Sequence, residues 1–263
     1  AITLQTSGTI TTTGAANTTG VGGVGGEVFV HSGATAGDIT IGKNITAKGG
    51  SAGSGGTTGG NGAVVTIAND NGSILITAGA IDVSGGATGS VAAGNGGTVQ
   101  LKTAGTNAAI TQSGETSATA ILATGATGGL LAVVSATGDV TLTNNTNDVA
   151  KVAANIATAG KFFKYTDANA LAIDSVAAAG ALTAPSGTVA NPTTATAGVT
   201  TLGGSGGYVE VDARTSTLTV NEAILTTPAA GAATAGGSVI LEAAGAITLQ
   251  TSGTITTTGA ANT

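Results

Sequence analysis

The chain has 263 residues, among them 46 Gly and no Cys, Met or Trp, and only 8% are charged, a composition far from that of an ordinary globular domain. A formal net charge of −6 and a pI near 4.4 disfavour nucleic acid and anionic membrane as partners, and the lack of cysteine excludes disulfides, thiol catalysis and thiolate metal ligands. Disorder is disfavoured because the 41% of hydrophobic residues fall in short alternating β-branched runs, and no apolar run approaches the ~18 residues of a membrane helix.

The chain opens on AITLQTSGTITTTGAANT, residues 1–18, and the same eighteen letters return from Ala246 to Thr263, an offset of 245 residues. Residues 1–245 therefore read as one complete unit of a tandem array and 246–263 as the opening of the next, identical to 1–18. No export leader of the charged-then-apolar kind is visible, and any signal is expected outside this stretch.

After a Gly-rich break, an alternating strand begins at Glu27 (EVFV), and similar strands begin at Ala63 (AVVTI), Thr98 (TVQL), Leu130 (LLAVV), Lys161 (KFFKY), Tyr208 (YVEV) and Ser238 (SVIL). Seven such starts fill the 245-residue unit at about 35 residues each. A second strand follows most of them: DITI at Asp38, SILIT at Ser73, DVTL at Asp139, ALAI at Ala170, TLTV at Thr217 and AITL at Ala246. A weaker third strand is visible at Asn44 (NITA), Ala80 (AIDV) and Thr254 (TITT), while alternation is poor between Glu115 and Gly128. Excursions rich in Gly, Ala, Ser and Thr then lead to the next start, at 49–62, 85–97 and 231–237.

Apolar–polar alternation over four or five residues is the period of a half-buried strand. Three short strands per turn at near-constant spacing describe an all-β chain wound as a parallel β-helix, about seven coils per unit. The expected inward residues include Val28 and Val30, Val99 and Leu101, Leu131 and Val133, Val209 and Val211, Val239 and Leu241, and Ile247 and Leu249. The Gly-rich excursions are expected at one corner, lining one edge of the solenoid, where small side chains would suit lateral packing of solenoids. The coil from Lys161 is the longest. It holds Phe162, Phe163 and Tyr165, and its excursion, 177–207, holds Pro185 and Pro192; this reads as a wider coil with a stiffened loop, and less readily as a ligand- or neighbour-contacting bulge.

The stretch GDVTLTNNTNDVAKVAANIATAGKFFKYTDANALAIDSV, 138–176, with GDITIGKNITAKGG (37–50) and GSILITAGAIDVSGG (72–86), resembles the passenger repeats of filamentous-haemagglutinin-like giant bacterial exoproteins. The resemblance covers most of the chain in style, without a catalytic motif. It implies a right-handed parallel β-helix, export from a Gram-negative-type bacterium by two-partner or autotransporter-like secretion, and an adhesive or filament-forming role at the cell surface. It carries over no binding residue.

Candidate chemistry is sparse. His31 in EVFVHSG is the single histidine, and a lone His beside a coil corner reads as a surface residue. Glu210, Asp212 and Arg214, with Tyr208, form the nearest local cluster, and read as a solvated face holding an Arg–carboxylate pair. GVGGVGG at Gly20 lacks the GK[ST] of a phosphate loop, and the TITTT of a Thr-x-Thr array, present at Thr254 and in the identical opening stretch, is not repeated in the coils between them. Sequons at Asn17, Asn44, Asn71 and Asn144 are expected by chance in a Thr-rich chain. No catalytic, cofactor-binding or metal-binding residue is expected, and no cofactor. The expected role is a structural or adhesive repeat of a secreted fibrous protein. Its expected partners are neighbouring repeats, other copies of the fibre, and cell-surface or polysaccharide targets, with no nucleic acid and no membrane insertion. The alternative is a carbohydrate-binding or carbohydrate-active β-helix module acting through Tyr208, Glu210, Asp212 and Arg214.

Overall fold

The structure is a computed structural model and describes residues 1–263 apart from 6–7, 34, 89–90, 179–181, 185–186, 190–194, 229–234 and 260–263. Strands β1 (Ile2–Leu4) and β2 (Ile10–Thr11) open the chain. Three coils of long, short and shorter strands follow. They are β3 (Val28–Ser32), β4 (Ile39–Ile41) and β5 (Ile45–Thr46); β6 (Val64–Asn69), β7 (Ile74–Ile76) and β8 (Ile81–Asp82); and β9 (Thr98–Thr103), β10 (Ile110–Gln112) and β11 (Ile121–Leu122). Next come β12 (Leu130–Ser135), β13 (Val140–Leu142), β14 (Lys151–Ile156), β15 (Phe163–Asp167) and β16 (Leu171–Ile173). An arm carries β17 (Ser175–Val176), β18 (Leu182–Ala184), β19 (Gly187–Val189) and β20 (Thr196–Ala197). The last strands are β21 (Val199–Thr201), β22 (Tyr208–Ala213), β23 (Leu218–Val220), β24 (Ile224–Leu225), β25 (Ser238–Ala243), β26 (Ile247–Leu249) and β27 (Ile255–Thr256).

Apart from those of the arm, where β17 pairs β20 and β18 pairs β19 antiparallel, these strands stack in parallel as three sheets, a parallel β-helix. The first sheet has eight strands in the order β1-β4-β7-β10-β13-β15-β22-β25, the second runs β11-β8-β5-β2, and the third, with eleven strands, contains β3, β6, β9, β12, β14 and β16 in sequence and then β23 and β26. Alternation puts every second side chain inside, and the parallel register aligns them in columns. Ile39, Ile74, Ile110, Val140, Phe163 and Val209 form one column of the first sheet; Val28, Val65, Val99, Leu131 and Val152 form one of the third. All are buried in a single core.

The expected inward residues are buried from Val28 to Val211, and Val239 and Leu241 are half-buried against the core. Ile247 and Leu249 are exposed, at 42% and 48%, although they continue the buried columns of Leu218 and Val220 in register. They belong to the last coil, where no further strand covers them.

The coil phase changes at β14. KVAANI continues the third sheet on β12, paired from Leu130↔Lys151 to Ser135↔Ile156. KFFKY is therefore not the next start of that column; it stacks on the second-strand segment DVTL, Val140↔Phe163. Two strands then share the upper edge of β14. β16 takes its N-terminal end (Val152↔Ile173) and β21 its C-terminal half (Ala154↔Val199). From there the long strands β22 and β25 stand in the first sheet, and the short strands stand on the two halves of the divided third sheet, β23 and β26 on one and β24 and β27 on the other.

The Gly-rich excursions at 49–62 and 85–97 do leave one corner, and their small residues pack against each other within the chain. Gly22 and Gly25 donate to Thr58 and Asn61, while Gly23 and Gly26 donate to Ala15 and Thr12; Gly59 and Gly62 donate to Ala92 and Asn95, while Gly60 and Ala63 donate to Gly50 and Ala47. That three-residue period is the one of polyproline II chains packed side by side. A Cβ on Gly60 would stand 1.9 Å from the Gly23 carbonyl oxygen, so backbone proximity fixes the glycine. Of the third excursion, 231–234 lies outside the described residues.

Candidate functional site

The expected cluster lies on the outer side of the first sheet. β15, β22 and β25 bring Lys164, Glu210 and Ile240 into one row and Thr166, Asp212 and Glu242 into the next. Phe162 and Tyr208 stack with centroids 4.9 Å apart and planes inclined by 21°. Lys164 Nζ lies over both rings, 5.9 Å from Phe162 and 5.2 Å from Tyr208, and 3.1 Å from Glu210 Oε2. Hydrogen bonding to Tyr208 and then to Glu210 raises the Lys164 pKa above its ordinary value. Burial, and then the neighbouring Glu242 carboxylate, raise that of Asp212.

The expected Arg–carboxylate pair is not formed: among the described residues Glu210 pairs with Lys164, and exposed Arg214 acts on Asp212 only through its charge. Lys164 comes from the preceding coil, a neighbour that local spacing could not reveal. A shallow hollow of about 430 Å³ beside Tyr208, Glu210 and Ile240 is floored by Gly204, Gly206 and Gly207. The rings and carboxylates are thus assembled on one face, with a cation already seated over the rings.

His31 is exposed, stacks on Phe29 at 5.7 Å and has its Nε2 2.9 Å from Asp70 Oδ2 on the next coil. Asn144 is buried and its amide donates to the Thr116 carbonyl and Thr119 hydroxyl, so in the folded chain that sequon is closed to glycosylation. Asn17, Asn44 and Asn71 are exposed. Among the described residues no three His, Asp or Glu side chains gather as a metal site, and no helix is long and apolar enough to cross a membrane.

A buried polar cluster, unforeseen from the sequence, lies where the second sheet ends. Gln112 exchanges hydrogen bonds with Asn147, Nε2 to Oδ1 at 2.7 Å and Nδ2 to Oε1 at 3.0 Å, and Asn147 also accepts from the Ile121 N–H. Above it, Asp167 accepts from Tyr165 Oη at 2.7 Å and from the N–H groups of Val149 and Asn169. Burial outweighs these donors and lifts the Asp167 carboxyl to about 6; burial likewise drives the Tyr165 hydroxyl well above its usual value. These groups satisfy the backbone at a narrowed coil and are closed to solvent.

An open apolar surface lies at the C-terminal end of the stack. Ile247, Leu249 and Ile255 are exposed there, around a hollow of about 650 Å³ that reaches Val239 and Leu241 of the core columns. Comparison with protein-family models, with curated proteins and with solved structures finds no match to this chain.

Proposed function

We propose that the chain is a length-building unit of a secreted or cell-surface fibrous protein, with a structural and adhesive duty and no catalysis. One observation carries this: eighteen residues recur without change at an offset of 245, in a fold whose strands add coil by coil along one axis. A stack of this kind gains stability from each neighbour, and its last coil leaves apolar columns open. Continuation by further coils covers them and removes a sheet edge that would otherwise aggregate. Export to the cell surface fits a cysteine-free chain and the resemblance to filamentous-haemagglutinin-like exoproteins.

Chains of one, two and three units test the reading by small-angle scattering. A rod that lengthens by roughly 34 Å per unit, at about 4.8 Å per coil, is expected. Units tumbling independently on flexible joints would reject it.

A second reading, a carbohydrate-binding or carbohydrate-active module, is favoured by the Phe162–Tyr208 stack beside Glu210 and Asp212. Binding to neutral or acidic polysaccharides that is lost in Tyr208→Ala, or cleavage lost in Glu210→Gln, would support it. Intact chain that neither binds nor cleaves would dismiss it.

A further inference from the structure

The two copies of AITLQTSGTITTTGAANT form the same strands, yet only the first is covered. In that copy the N–H groups of Ile2, Ile10 and Thr12 donate to the carbonyls of Asp38, Asn44 and Thr46 at 3.0, 3.1 and 2.8 Å, and Ile2 and Ile10 pair with Ile39 and Ile45. In the second copy the opposite side is engaged: the carbonyls of Ala246, Thr254 and Thr256 accept from Leu218, Ile224 and Thr226. Backbone groups of successive residues in a sheet strand point to opposite neighbours. Ile247, Ile255 and Thr257 therefore aim their N–H groups at the open end, as Ile2, Ile10 and Thr12 aim theirs at the next coil.

We propose that this end is a docking surface for a second unit of the same sequence, taken up in one register. The incoming Asp38–Thr46 segment covers Ile247–Thr257, Ile39 on Ile247 and Ile45 on Ile255, repeating the pairing that the first copy already makes. The remaining long strand at the open end is β25, whose inward residues Val239, Leu241 and Ala243 are half-buried and alternate with exposed Ser238, Ile240 and Glu242. Matching inward residues sets the incoming β3 upon it: Val28 on Val239, Val30 on Leu241 and Ser32 on Ala243. The occupant is identified by this chain's own contacts, since identical strands elsewhere in the molecule carry that very segment. The inference rests on the reading of the chain as a length-building unit and adds the surface and register of the join.

A chain in which residues 19–263 are repeated after Thr263 tests it by amide hydrogen exchange, with the 263-residue chain as baseline. Slowing of at least about 100-fold is expected at Ile247, Ile255 and Thr257, to the protection of Ile2, Ile10 and Thr12. Ile39→Lys with Ile45→Lys in the second unit alone should return those three amides to baseline and leave the first unit's other amides unchanged. A two-unit rod of full length whose three amides stay fast would overturn the register and leave the fibre reading standing. Two units that tumble independently would overturn both. Protection that survives the double Lys variant would also overturn the register.

Discussion

Asp167 is fully buried and its carboxyl, raised to about 6, makes stability depend on pH in the less usual direction. Between the unfolded value near 4 and the folded value near 6, the folded chain binds the extra proton, so this group's contribution falls as pH rises through that window. Asp167→Asn removes the buried charge; with its oxygen on the Val149 N–H and the Tyr165 hydroxyl, its NH2 faces the Asn169 N–H, and that one hydrogen bond is given up. The variant should be more stable than the parent at pH 7, by no more than about 3 kcal/mol, with the difference shrinking towards pH 4. Denaturant titrations across that range check it, and a difference that does not vary with pH would sink it. Three more substitutions act at the same scale. Gly60→Ala sets a methyl group against the Gly23 carbonyl and should destabilise by about 1–3 kcal/mol. In Gly33→Ala the new Cβ would lie 3.6 Å from Asp70 Oδ2, an ordinary contact, so a near-neutral effect is expected. Val211→Asp places an unpaired carboxyl at a position with no exposed surface and should abolish cooperative unfolding at pH 7.

At the scale of elements, the arm between Asp174 and Gly198 explains why the coil from Lys161 is so long. The Gly198 N–H donates to the Asp174 carbonyl at 3.1 Å, so the base of the arm is closed. Burial alone would raise the Asp174 pKa, but Lys151 at 2.8 Å and the Asn221 amide at 3.0 Å outweigh it and hold the group low. The arm folds back over the third sheet: Val176 packs on Ala132 and Ala153, and Gln100 Nε2 donates to the Ala177 carbonyl. Its described contacts are thus with this chain's own coils. Pro185 and Pro192 lie outside the described residues. Joining Asp174 directly to Gly198 should preserve the β-helix and lower stability by about 2 kcal/mol, the scale of burying one Val beside small neighbours. Collapse of the fold on deletion would show that the arm, and not the divided edge of β14, holds the coil change in place.

The long alternating strands were legible because VFV, VVTI, TVQL and YVEV each put a branched residue inward at every second position. KVAANI was not: Ala153 and Ala154 blunt the alternation, and no Gly-rich break precedes it. KFFKY has the stronger pattern and masks it. Tyr208, Glu210 and Asp212 could be placed together because they share one strand. Lys164 and Phe162 could not, because their contact crosses coils whose length the arm had stretched. The amides of Gln112 and Asn147 flank the poorly alternating region on its two sides, and there side chains complete a coil in place of backbone ladders.

For the molecule as a whole, the change of phase at β14 sets the geometry of any array. AITL stands in the first sheet as β1 and in the third as β26, so identical strands occupy different faces at the two ends. A following unit in the register proposed above would build its first sheet on this unit's third. The Phe162–Lys164–Tyr208 ladder lies on the first sheet and would then move to a new face at each join, so successive ladders would wind around the array. Side-chain-resolution images of a three-unit chain are expected to show successive ladders turned by one face in a constant sense. Ladders aligned along a single face would mean that the phase returns within each unit, and would reject both the rotation and the join that produces it.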